Sequence, residues 1–189
     1  MVAAIRSFIA FDIDNQEVLN RMKKVQDLLW ATGANVKAVK VENIHVTMRF
    51  LGNIAHKMVE QIFEEMKKVQ FTSFEVKVRG VGAFPHLHRL NVIWAGLTEG
   101  ADHMRNIFNQ LEPSLRSLGF RADSKGFSPH ITIARVRSAR NKNELIECIK
   151  ENADFEFGTV KAECLRLKRS DLTPQGPIYS TLKEFCPQL

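Results

Sequence analysis

The chain is poor in the residues that mark secreted, metal-stapled or membrane-spanning proteins. Among its 189 residues are three cysteines, Cys148, Cys164 and Cys186, with no C-x-x-C. So odd and widely spaced a set argues against a disulfide framework or a structural zinc site, and a reducing, cytoplasmic setting is expected. No apolar run approaches the ~20 residues that span a bilayer. The opening residues Met1 to Ser7 place no basic stretch before a long apolar one, so no signal peptide is expected. The ten glycines never gather into a phosphate-cradling loop, which sets nucleoside triphosphate hydrolysis aside. Low-complexity segments and long linkers are also missing.

What is present describes an ordinary globular chain, 44% hydrophobic and 25% charged, long enough for one substantial core or two small lobes. The formal net charge of +6 favours an anionic partner, and nucleic acid is the common one. Arg135, Arg137 and Arg140 form one basic group; Arg166, Lys168 and Arg169 form another.

One pattern occurs twice. His45-Val46-Thr47 lies in the apolar run from Ile44 to Leu51, and His130-Ile131-Thr132 lies in the run from Pro129 to Val136. Both runs are rich in β-branched residues and read as strands. Residues i and i+2 of a strand share a face, so each copy presents an imidazole and a hydroxyl together. With six histidines and eight threonines, roughly 0.25 such matches arise by accident, so a second copy carries the information. The alternative is two buried histidines, each satisfied by its own threonine.

The copies stand 85 residues apart, and other features recur near that offset. Phe74-Glu75-Val76 and Phe155-Glu156-Phe157 each open a strand. Arg6 to Phe11 resembles Asn91 to Gly96. Val18, Met22, Val25 and Leu29 predict one helix, and Met104, Ile107, Phe108 and Leu111 another. Further helices are predicted at 59–69 and 143–149, and a closing strand at 178–185. The fold expected is α+β and bilobal: a duplicated strand–helix–strand–helix–strand unit, with halves near 1–85 and 88–189. Two antiparallel sheets would flank a central cleft, with the motif strands face to face across it.

Two imidazoles and two hydroxyls in one cleft suit metal-free phosphodiester cleavage. An imidazole titrates near pH ~6.5, so one can take a proton from water while the other gives one to the leaving oxygen. Thr47 and Thr132 would donate to the phosphoryl oxygens. Arg49 shares the parity of His45 and Thr47 and is a candidate for the cleft. Arg135 has the wrong parity and arrives only if its strand bulges. Phe84, in a hairpin connection, and Tyr179 are candidates for stacking on a base. His86 and His88 lack nearby carboxylates, so no metal site is expected there.

These residues resemble a known family. The runs from His45 to Gly52 and from His130 to Arg135 are similar to the paired H-x-T-x motifs of the 2H phosphoesterase superfamily. Within it the chain looks like the RNA 2′,3′-cyclic phosphodiesterases, also called 2′-5′ RNA ligases. Phe8-Ile9-Ala10, Gly82 to Pro85, Val92 to Gly96 and Gly176 to Tyr179 extend the likeness along almost the whole chain. The resemblance implies opening of a terminal RNA 2′,3′-cyclic phosphate to leave a 2′-phosphate, with tRNA fragments one candidate source of such ends. It makes His45 the proton donor and His130 the acceptor, with Thr47 and Thr132 on the phosphate and Arg135 as a candidate helper; Arg49 and Phe84, chosen by parity and placement, are further candidate substrate contacts. The resemblance also implies, in reverse, a 2′-5′ ligation without ATP; no cofactor and no membrane are expected, and of the oligomeric states, which the sequence leaves open, a monomer is favoured. Related readings are a 2H enzyme acting on a small cyclic nucleotide or ADP-ribose cyclic phosphate, and a non-catalytic RNA-binding module.

Overall fold

The computed structural model describes residues 4–123 and 126–187. Its strands are β1 (Ile5–Asp12), β2 (Val36–Ala38), β3 (His45–Ile54), β4 (Phe74–His86), β5 (Arg89–Leu97), β6 (His130–Val136), β7 (Glu156–Ala162), β8 (Leu165–Thr173) and β9 (Gly176–Phe185). The helices are α1 (Gln16–Ala31), α2 (Met58–Lys67), α3 (Ala101–Ser117) and α4 (Lys142–Glu151). The Asn15 carboxamide oxygen caps α1 by accepting from the amides of Glu17 and Val18. Val18, Met22, Val25 and Leu29 then form its buried stripe, as their spacing predicts.

The architecture is α+β. The strands form one antiparallel sheet in the order β7-β4-β5-β6-β3-β1-β8-β9, with β2 pairing the outer end of β6. Its two four-stranded halves meet where Val46 of β3 pairs with Ile131 of β6. The motif strands, expected face to face across a cleft, are therefore side by side at the centre of the sheet. Val46 and Ile131 are fully buried, which sends the residues on either side of each to the opposite face. Sheet halves and sequence halves differ, because β4 lies between β5 and β7, while β8 and β9 return to flank β1.

Two sequence expectations are corrected here. β8 went unread because its apolar alternation stops at Leu167 and the polar run Lys168-Arg169-Ser170-Asp171 follows; Lys168 is nonetheless buried, its charge met by Asp12 at 2.6 Å. Cys164 and Cys186 also form a disulfide, where none was expected. The cause is hairpin register. Leu165 opposes Phe185, so the next pair outward brings the two cysteines together, with Cα atoms 4.2 Å apart. Cys148 remains a thiol. No helix among the described residues is long and apolar enough to cross a membrane.

Candidate active site

Antiparallel pairing at Val46–Ile131 sets His45 across from Thr132 and Thr47 across from His130. Both imidazoles are anchored alike. His45 Nδ1 donates to the Asn43 carbonyl at 2.7 Å, and His130 Nδ1 to the Ser128 carbonyl at 2.7 Å. Each ring takes its tautomer from a carbonyl two residues earlier, leaving Nε2 for the cleft. The Thr47 hydroxyl lies 2.8 Å from His45 Nε2, and donates to it when the ring is neutral.

Both strands bulge at the same place in the motif. Opposite β1, Ala10 pairs with Thr47 and Ile9 with Arg49, so Met48 is the extra residue. Opposite β5, Trp94 pairs with Thr132 and Ile93 with Ala134, so Ile133 is the extra residue. A bulge reverses the parity of whatever follows it. Arg135 thereby lines the cleft beside His130 and Thr132. Arg49 is turned out of it, contrary to expectation. Its Nε donates to Glu112 of α3 at 2.8 Å, and its Nη2 to the Arg121 carbonyl. Phe50, which sequence parity gave no reason to choose, faces the cleft and is 62% exposed.

Gln26, a buried polar residue of α1, fastens the second bulge. Its Nε2 donates at 2.8 Å to the carbonyls of Ile133 and Val39, and the Val39 amide donates to the same Ile133 carbonyl at 2.9 Å. The only sequence signal was a glutamine where α1 turns apolar.

Aromatic rings wall the imidazoles. His45 lies 4.9 Å from Phe8 and 5.4 Å, edge to face, from Tyr179 of β9. His130 stands edge to face with Phe84, 4.8 Å away. Phe84 lies on β4 rather than in a connection, and its ring leans on Trp94. Trp94 lies across Gly82, where a Cβ would sit 2.2 Å from the indole. Gly82 is thus what lets Trp94 lie flat and support Phe84.

The cleft encloses about 780 Å³. Among the described residues, Arg6, Lys37, Lys40, Arg135 and Arg137 line it, and no Asp or Glu does. The second basic group expected from sequence is absent from this wall. Arg166 pairs with Glu184, Lys168 with Asp12 and Arg169 with Asp171. Burial, with the positive charge of Lys168 behind it, lowers the His45 pKa to about 4. His130 is lowered too, by burial and then by the charge of Arg135. Burial raises the Tyr179 phenol, which keeps it neutral. The protein's own surroundings thus bias both rings neutral, and an anion beside them opposes that bias.

Comparison with known proteins bears on the fold and the family. The family model of the AKAP7 2′5′ RNA ligase-like domain matches residues 7–185. The RNA 2′,3′-cyclic phosphodiesterase of Aeropyrum pernix is 39% identical over 88% of this chain and 95% of its own. That of Archaeoglobus fulgidus is 36% identical over 96% and 99%. Escherichia coli LigT complexed with 3′-AMP superposes with a TM-score of 0.77 at 18% identity, covering 97% of this chain and 98% of its own, and so shares the fold. With the paired motifs, the antiparallel sheet and these relatives in agreement, the chain belongs to the 2′-5′ RNA ligase-like, RNA 2′,3′-cyclic phosphodiesterase family of 2H phosphoesterases.

Proposed function

We propose that this cleft opens the terminal 2′,3′-cyclic phosphate of RNA to leave a 2′-phosphate, by acid–base catalysis between His45 and His130 without a metal. The observation that carries the reading is a matched pair of Nε2 atoms aimed into one cleft lined by cations and free of carboxylates. Relatives named RNA 2′,3′-cyclic phosphodiesterase, at 32–39% identity, support the substrate class.

His130 Nε2 accepts a proton as water attacks phosphorus opposite the 3′ oxygen. The P–O3′ bond breaks, and His45 Nε2–H gives its proton to the departing oxygen. The Thr47 hydroxyl has one proton and two calls on it. While His45 is neutral that proton goes to Nε2; once the ring is protonated it is free for a phosphoryl oxygen. Readiness of the acid and stabilisation of the phosphate are thereby coupled. Thr132 and Arg135 meet the charge from the other strand. With a 5′-hydroxyl in place of water, the same steps form a 2′-5′ linkage.

The test is incubation of EDTA-treated protein with a cyclic-phosphate-ended oligoribonucleotide, followed by identification of the product phosphate. A 2′-phosphate is expected. A 3′-phosphate, or a requirement for a divalent ion, overturns the reading.

A further inference from the structure

We infer that Lys37 and Arg137 form a second phosphate subsite, which holds the phosphodiester immediately 5′ of the terminal nucleotide and fits the cleft to an RNA strand rather than a mononucleotide. This rests on the reading that the cyclic phosphate sits between His45 and His130.

Register places the two cations together. Lys37 is the cross-strand partner of Arg135, and Arg137 lies two residues beyond Arg135, its amide bonded to the Asn35 carbonyl at 2.8 Å. All three share a face. Arg137 is ~6.6 Å further along the strand and Lys37 ~5 Å across it. Successive phosphates of an extended strand are separated by a similar distance. Arg135, whose charge reaches His130, is committed to the reacting phosphate. Lys37 and Arg137 stand one strand over and one pleat on, where the next phosphate passes.

Among the described residues, neither cation is held by a carboxylate of the protein, as several others are. Arg21, Arg79, Arg105, Arg166 and Arg169 all sit against carboxylates. Among the described residues neither Lys37 nor Arg137 makes an ion pair, and Lys37 spends its ammonium on a 3.3 Å contact with the Gln175 carbonyl. Both side chains are exposed on a wall without carboxylates. A field of one sign in a concave, partly apolar site concentrates anions.

The experiment compares kcat/KM for a nucleoside 2′,3′-cyclic phosphate and for a pentaribonucleotide ending in the same group, across a salt series. The wild type, the K37A/R137A double variant and R6A, at the opposite end of the cleft, are measured side by side. The wild type is expected to favour the pentamer about 10-fold or more at low salt, with the advantage shrinking as salt rises. K37A/R137A should remove most of that ratio through KM for the pentamer and flatten the salt slope by roughly 0.7, the share of one single-strand phosphate. R6A should keep the ratio. A wild type without preference, a double variant that retains it, or an equal loss in R6A overturns the subsite. Turnover of neither substrate by the wild type would instead count against the catalytic reading. Pentamer binding by fluorescence anisotropy in the same variants then decides the subsite, which stands only if K37A/R137A binds about 10-fold more weakly than R6A.

Discussion

Phe50 and Arg135 occupy the same station on two strands, each five residues after its histidine and each turned into the cleft by one extra residue, Met48 or Ile133. A near-symmetric frame thus carries an exposed aromatic ring on one side and a cation on the other. Attack and departure are chemically different events, and the frame supplies different surroundings for them.

Replacing either histidine by alanine should lower turnover by roughly 10²–10⁴ while leaving circular dichroism unchanged. An activated leaving group at the 3′ position needs less help from an acid, so it should partly rescue His45→Ala and not His130→Ala. Rescue of His130→Ala alone would exchange the two roles.

Thr47→Val and Thr132→Val keep the branched shape a strand favours and remove the hydroxyl. Each should cost roughly 10–10³ in turnover, as loss of one oxyanion donor does. Thr47→Val should also alter the pH dependence, because its hydroxyl bonds His45 Nε2 directly. An unaltered profile would detach the hydroxyl from the proton transfer.

Both imidazoles lie below their ordinary range in the free protein. The bell in kcat/KM, which reports the free enzyme, should therefore centre on the acid side of pH 6.5, while the bell in kcat shifts toward neutrality once the substrate anion is bound. A kcat/KM bell centred above pH 7 contradicts the burial of His45.

The same shift acts on stability. A histidine whose folded pKa is about 4 against 6.5 binds fewer protons folded than unfolded between those values. Its contribution is fully present above pH 6.5 and is lost as pH falls toward 4, by up to about 3 kcal/mol. Urea midpoints of His45→Gln should show a shallower decline over that window than the wild type.

The two arginines should separate cleanly. Arg49→Ala removes the cation from Glu112 of α3, which keeps the Asp123 amide, and should cost about 1–3 kcal/mol of stability. Arg135→Ala should keep stability and lose kcat/KM. Gln26→Leu, which leaves the Ile133 carbonyl to the Val39 amide and removes its second donor, should resemble Arg135→Ala in kcat/KM if the bulge is what aims that side chain.

The sequence made His45, Thr47, His130 and Thr132 legible because strand parity is a local rule, and each pair needs only i and i+2. Arg49 and Arg135 both escaped that rule for one reason. A bulge exists only relative to a partner strand, and Ala10 against Thr47, like Trp94 against Thr132, is a pairing no window of sequence contains. The Cys164–Cys186 bond was hidden likewise, since 22 residues of separation say nothing until β8 and β9 are in register. The helices, with their 3.6-residue stripes, carried their own evidence.

Each imidazole takes its orientation from a carbonyl two residues upstream on its own strand, Asn43 for one and Ser128 for the other. Such a group is portable. A strand that carries it brings its ring already aimed and its tautomer already chosen, whatever strand lies beside it. Only the station beyond the bulge, aromatic Phe50 on one strand and cationic Arg135 on the other, then has to differ for two like frames to become the unlike walls of one cleft.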